Sequence, residues 1–317
     1  MKLMKFPNEK ITFESFLCGM PARDYIYQDI SYDQQIKDAA KMIRNAEYVL
    51  IGAGAGMSTA AGAQYGGKFF EENFGEFQMK YGKGPYMQDM YSAGFYPFPD
   101  EESYWGYWSK QALLAGITLD VTPLHRLFLE SLSDKKIFVL STNADAQFVK
   151  AGLSGEKIFC TQGDYFHIQC GRRCHDKTYD AVELFCRMNQ ARRDCKIPSD
   201  LVPKCPVCGG SMDMNLRKDH FFVQDDDWYE AEERFSDYLS EAINEKLVLL
   251  ELGVGFNTPT IIRFPFEKLV REHDNISLIR LNLEQAVVPE SFGCRAVGIH
   301  ADMAESIKDI VEEVKRK

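Results

Sequence analysis

Long apolar runs are missing from this chain. No window approaches the roughly 20 apolar residues of a membrane span, and the opening stretch MKLMKFPNEKITFES holds no signal-peptide core. A cytoplasmic protein with no membrane partner is expected. Clustered basic charge is missing too: Lys and Arg total 37 against 47 Asp and Glu, for a net charge of −10. A nucleic-acid partner is therefore not expected, because phosphate contacts need grouped Lys and Arg. Nine cysteines in 317 residues are too sparse for a disulfide scaffold. Internal repeats and low-complexity linkers are absent as well. What the chain does have is a composition 45% apolar and 13% aromatic, enough to bury a large core as one domain with an insertion or as two domains.

Short apolar runs alternate with amphipathic stretches, the pattern of a parallel sheet covered on both faces. The runs Tyr48–Ile51, Ile137–Ser141, Ile158–Thr161, Leu247–Leu252 and Ile276–Leu281 read as buried strands, and 33–46, 230–245, 260–273 and 302–316 as helices. Two stretches break the alternation. Residues 69–120 are rich in Phe, Tyr, Trp and Gly, and 166–220 hold grouped cysteines. The expected fold class is α/β: a Rossmann-like parallel sheet domain (30–68, 121–165 and 221–317) with a smaller domain made of a helical insertion (69–120) and a zinc-binding module (166–220). Residues 1–29 are an N-terminal extension. The acidic run 225–230, DDDWYE, reads as a solvated turn.

Two motifs carry chemistry. IGAGAGMSTAAGAQYGG, 51–67, lies between a predicted strand and a helix. Its glycines let the backbone approach a pyrophosphate, whose charge is met by free N–H groups. A tight strand-to-helix turn without a ligand would use the same glycines, so this motif alone decides little. The stronger signal is Cys170-x3-Cys174 with Cys205-x2-Cys208. Two close cysteine pairs make the two knuckles of a tetrahedral thiolate site, usually for Zn²⁺, and four thiolates leave no open position for water, so the role is structural. The other cysteines, 18, 160, 186, 195 and 294, read as packed core thiols.

These residues resemble the sirtuins, most closely the macrodomain-linked (class M) sirtuins of microbes, over nearly the whole chain from about residue 35. Gly54, Ala55, Gly56, Ser58 and Gly62 match the family's GAG-x-S-x-x-x-G phosphate loop, and Ser141-Thr142-Asn143-Ala144-Asp145 its T-Q-N-x-D. Thr122-Pro123-Leu124-His125 matches the Pro and His that open a helix. The four cysteines match the zinc module, Gly253-Val254-Gly255-Phe256-Asn257 the G-T/S-S loop, and Leu281-Asn282, followed by Leu283, the I-N dipeptide near the adenosine. The resemblance implies that NAD is a substrate. Asp145 would bond the nicotinamide amide, and Asn143 the ribose hydroxyls or a water beneath C1′. Without the other motifs, Asn143 and Asp145 would read as a helix cap, and His125 reads as a packing residue with no chemistry.

Three departures from the family point to function. Gln162 stands where deacylases carry their catalytic histidine, and an amide cannot accept a hydroxyl proton near neutrality, though it can orient the ribose. His167 is a weak substitute because it lies toward the zinc module. Ala63-Gln64-Tyr65-Gly66-Gly67 replaces I-P-D-F-R, so Gln64 and Tyr65 are candidates to cover the reacting sugar. Phe221–Asp225 replaces the F-G-E strand that pairs with acyl-lysine peptides. The expected catalytic set is Asn143, Gln162 and Asp145. The expected activity is protein mono-ADP-ribosylation with release of nicotinamide. The resemblance implies a lipoylated, glycine cleavage H-like acceptor and a macrodomain hydrolase as functional partner. The aromatics of 69–108 could line a groove for a lipoyl arm or form the core of the insertion. A lysine deacylase, a non-catalytic NAD or ADP-ribose module and an NAD glycohydrolase remain alternatives.

Overall fold

The structure, a computed structural model, describes residues 10–316. Among these residues the strands are β1 (Tyr25–Ile26), β2 (Tyr48–Ala53), β3 (Lys136–Ser141), β4 (Ile158–Cys160), β5 (Gly163–Cys170), β6 (Thr178–Asp180), β7 (Met212–Leu216), β8 (Leu247–Leu252), β9 (Ile276–Leu281), β10 (Val288–Pro289) and β11 (Ala296–Ile299). Six of them form one parallel sheet in the order β11-β9-β8-β2-β3-β4. The expected Rossmann-like α/β architecture is the one observed. Every residue of β2 and β8 is buried, because helices cover both faces and leave no side of these strands open to solvent. One face packs under the helices Tyr32–Asn45, Pro123–Ser131 and Met303–Lys315, the other under Asp226–Ala242 and Arg263–Glu272.

After β2 the chain moves outward through β3 and β4, then returns to the other side of β2 with β8. This reversal opens a crevice beyond the carboxyl ends of β2 and β8, the position where open α/β sheets take their ligands. The glycine loop leaves β2 here, and the 253–257 loop leaves β8.

The two expected insertions share one core. Phe70, Phe74, Phe77, Trp105, Tyr107 and Trp108 are buried with Phe185, Met212 and Met214. The aromatics of 69–108 are therefore mostly core, and the lipoyl groove gains no support from them. The antiparallel sheet β6-β5-β7 carries the cysteines. Its strand β5 starts at Gly163, inside the expected sheet-domain segment 121–165, so the border falls earlier than the cysteine spacing suggested.

Other expectations change. Residues 225–230 are mostly exposed but form the start of a helix and not a turn: Asp225 caps the helix Asp226–Ala242 by accepting the Trp228 N–H at 3.0 Å, and Trp228 packs edge-on against Phe159 at 4.9 Å. A run of acids at a helix start favours the dipole, a use that composition does not reveal. Cys18 and Cys294 are exposed, so only part of the remaining cysteines are core thiols. The tendency of cysteine to be buried does not fix any one position. Strand β11 is too short to stand out from its surroundings. Residues 1–9 of the expected extension lie outside the described residues; 10–29 are laced into the sheet domain through β1, which pairs with β10, and through Gln28, which bonds Ala296 O and Gly298 N at 3.0 Å each.

Candidate active site and metal centre

The site begins with close backbone packing at the switch point. A Cβ on Gly56 would lie 2.7 Å from Gly253 Cα, and one on Gly54 would lie 2.7 Å from Gly253 O, so both loops need glycine to touch. Gly253 itself has φ +63°. The third loop, after β3, closes on the first: Asn143 Nδ2 donates to Gly54 O at 2.9 Å and to Ser58 Oγ at 3.2 Å, while Asn143 N–H reaches Ser141 Oγ at 3.0 Å. Ser58 Oγ donates to Asp145. Both Ser58 and Asp145 are buried. Gln147 N–H donates to the other Asp145 oxygen at 3.1 Å, with Ala146 in the left-handed region at φ 56° to allow the turn. Ser58, Asn143 and Asp145 thus form one hydrogen-bonded cluster, with Ser58 and Asp145 buried and Asn143 half-buried.

Gln162 is half-buried just after β4, and its carbonyl accepts the Arg217 N–H at 3.0 Å. Arg217, which no sequence motif marked, returns a bond to Thr161 O at 3.3 Å and lies 4.5 Å from the Phe222 ring. Two buried amides brace this side: Gln169 Oε1 accepts from Val223 N–H and Asn215 Nδ2, each at 2.8 Å, and Gln169 Nε2 donates to Phe221 O at 2.8 Å. Of the two lid candidates, Tyr65 is half-buried and Gln64 is exposed. The Tyr65 carbonyl accepts Met90 N–H at 2.8 Å, tying the loop to the helical insertion. Burial, the Asp145 charge and Tyr165 raise the Tyr65 phenol well above its usual range, so it stays neutral.

Other titratable groups nearby are held out of the chemistry. Burial lowers His125 to about 4 against the raising field of Asp145, and Thr122 Oγ1 sits 2.6 Å from its Nδ1. It is a neutral packing residue, as the sequence suggested. Burial pushes the Cys160 thiol up to about 12, which removes it as a nucleophile at neutral pH. His167 lies on β5 opposite Asp180, with its Nδ1 2.9 Å from each Asp164 oxygen; that bond raises its pKa.

At the far end, Asn282 Nδ2 donates to Val254 O at 3.1 Å, and its Oδ1 accepts the N–H groups of Glu284 and Gln285 at 3.0 and 2.9 Å. Gln285 Oε1 in turn accepts Phe256 N–H at 2.8 Å. Leu283 and Asn257 are exposed at the rim, Val254 is buried beneath, and Gly255 lies between. Below them is a group the sequence did not reveal. Glu251, Glu267, Arg263 and Arg280 are wholly buried; Arg280 reaches Glu251 at 2.8 Å and Glu267 at 2.9 Å, and Arg263 reaches Glu251 at 3.3 Å. The Arg263 guanidinium lies 4.0 Å from the Phe256 ring.

The sulfurs of Cys170, Cys174, Cys205 and Cys208 all lie within 4.8 Å of one another, with Cys170–Cys208 at 3.7 Å and Cys174–Cys205 at 3.6 Å. A tetrahedron with Zn–S bonds of about 2.3 Å has edges of about 3.8 Å. The donor set therefore fits a four-coordinate Zn²⁺. The turn at Gly209, φ +69°, brings Gly209 N–H to Cys205 O at 2.8 Å and shapes the second knuckle.

No protein-family model matches the chain. It is 30% identical over 279 residues to a protein ADP-ribosyltransferase of Staphylococcus aureus strain Mu50, covering 87% of each chain. It is 32% identical over 264 residues to a protein of Fusarium oxysporum f. sp. cubense named "Probable bifunctional ADP-ribose hydrolase/ADP-ribosyltransferase"; the match takes 79% of this chain and 43% of that longer one. Among solved structures, a Sir2 homologue in complex with NAD aligns over 92% of this chain and 97% of its own, with TM-score 0.56 and 14% identity. A second Sir2 enzyme aligns over 90% and 99%, with TM-score 0.54 and 17% identity. Fold and crevice together define an enzyme of the sirtuin type. The chain belongs to the sirtuin family, alongside the staphylococcal protein ADP-ribosyltransferase.

Proposed function

We propose that this protein is an NAD-dependent protein mono-ADP-ribosyltransferase that releases nicotinamide and attaches ADP-ribose to a protein acceptor. One observation carries the reading: the Ser58–Asn143–Asp145 cluster is assembled at the switch point, while an amide, Gln162, stands where a proton-accepting histidine would serve deacylation. Both curated relatives are named as ADP-ribosyltransferases, which agrees.

In this reading the N–H groups of 54–62 and the loops at 253–257 and 282–283 hold the dinucleotide. Asp145 accepts a hydrogen bond from the nicotinamide carboxamide, and Asn143 and Gln162 orient the ribose hydroxyls. The bond between C1′ and the nicotinamide nitrogen breaks with its electron pair leaving on nitrogen. The sugar that remains is oxocarbenium-like. Neutral amides and a fixed carboxylate favour that charge without attacking it, and an acceptor atom then forms the new bond to C1′. Tyr65 covers the sugar from the side of the insertion. Zn²⁺ on the four cysteines is structural, and its thiolates need the reducing conditions of a cytoplasmic location. The acceptor we favour is a lipoyl-carrier, glycine cleavage H-like protein, with a macrodomain hydrolase as the reversing partner.

The test is incubation with NAD and a lipoylated carrier protein, and separately with an acyl-lysine peptide, followed by intact mass. Addition of one ADP-ribose to the carrier, lost in Asn143→Ala and Gln162→Ala, is expected. A deacylated peptide beside an unmodified carrier would overturn the reading, and free ADP-ribose alone would replace it with glycohydrolysis.

A further inference from the structure

Gln111, on the insertion helix Glu101–Ala112, is buried, yet its Oε1 has no hydrogen-bond partner. Its Nε2 donates to the Tyr165 hydroxyl at 3.3 Å, which leaves that hydroxyl's own proton free to be donated elsewhere. A buried amide oxygen without a donor is destabilising, so an open acceptor calls for a partner.

The position of the pair says what the partner is. Tyr165 N–H donates at 3.1 Å to Ala144 O, the carbonyl between Asn143 and Asp145. Tyr165 is therefore fixed to the loop that carries the cluster, and the charge of Asp145 raises both the Tyr165 and Tyr65 phenols after burial has done so. The helix is also built to bring Gln111 there. It runs on into a π-helical turn, Leu113–Ile117, a geometry often found at functional sites. Within that turn a Cβ on Gly116 would lie 2.8 Å from Tyr165 Cβ, so glycine admits the ring.

We propose that Gln111 and Tyr165 form the wall of the leaving-group pocket facing Asp145 and recognise the carboxamide of the departing pyridine: Gln111 Oε1 accepts one amide N–H and the Tyr165 hydroxyl donates to the amide carbonyl. The helical insertion then adds, through Gln111, to the specificity for the leaving group that Asp145 begins. The assignment rests on the NAD-dependent reading above.

Calorimetric binding of NAD, of its 3-acetylpyridine analogue, which keeps the carbonyl and lacks the N–H donors, and of ADP-ribose, which lacks the ring, tests it. Gln111→Met should weaken NAD about tenfold, leave ADP-ribose unchanged and narrow the preference for NAD over the analogue about tenfold. Tyr165→Phe, a change that keeps the ring, should weaken NAD and the analogue alike and spare ADP-ribose. Equal weakening of all three ligands in both variants, or no change in any, would overturn the proposal. Failure of the unaltered protein to bind NAD or ADP-ribose would instead remove the NAD-dependent reading itself.

Discussion

Two buried polar clusters lie at the carboxyl ends of the strands, and they are built on opposite rules. In the cluster of Glu251, Glu267, Arg263 and Arg280, each carboxylate meets a guanidinium, Tyr25 adds a bond to Glu267 at 2.8 Å, and backbone carbonyls at 285 and 287 take further donors. The cluster of Ser58, Asn143 and Asp145 contains one carboxylate and no cation, and beside it His125, in the field of Asp145, leaves its buried Nε2 unpartnered. The first cluster is closed in charge, two carboxylates against two guanidiniums, although Arg263 Nη1 makes no hydrogen bond, and it braces the loops that carry Phe256 and Gln285. The second is open in charge, since its one carboxylate is met by a hydroxyl and a backbone N–H and by no cation, a state suited to groups that complete their bonding with a ligand. Burial of polar atoms marks neither role; the balance of charge separates them.

The largest effect should come from breaking the closed cluster. Arg280→Met leaves two carboxylates buried without their shared cation and should cost about 3–5 kcal/mol of unfolding free energy in a urea titration. Replacing Asn143 by Ala should do the reverse, lowering the rate of nicotinamide release about 10²–10³-fold while moving the urea midpoint little. A comparable loss of stability in both would erase the distinction.

A third test uses pH. His125 is held at about 4 in the fold against about 6.5 unfolded, so between these values the unfolded chain binds more protons and stability falls as pH drops. The contribution, full above about pH 6.5 and lost toward pH 4, is up to about 3 kcal/mol. His125→Leu should flatten the stability profile over that window when wild type and variant are compared by denaturant. The smallest effect concerns the rim. Leu283 is 61% exposed, so Leu283→Ala should leave the urea midpoint in place and raise the KM for NAD only a few-fold, since about 0.8 kcal/mol is at stake for each methylene covered.

Much of the sheet domain was legible in sequence because strands buried on both faces are mostly apolar. The segments 247–252 and 276–281 were read with their observed ends for that reason. The cysteine knuckles were legible because their spacing is set by one ion. The buried charges were not: Glu251 sits in an apolar strand with Arg280 in the next, and only their pairing across β8 and β9, in register Glu251↔Arg280, shows why both are tolerated inside. Gln111 was hidden in an aromatic helix that composition marks only as core, and the helix start at 225–227 was hidden because exposed acids suit a turn equally well until Trp228, next in the chain, is seen to pack against Phe159.

The sequence by itself determined the layered α/β class, the glycine loop and the two cysteine pairs, because each depends on residue type at short spacing. Tertiary structure decided which polar residues are closed and which remain open. That depends on partners brought together from distant segments, such as Gln111 with Tyr165 or Tyr25 with Glu267, and local sequence carries no record of such partners.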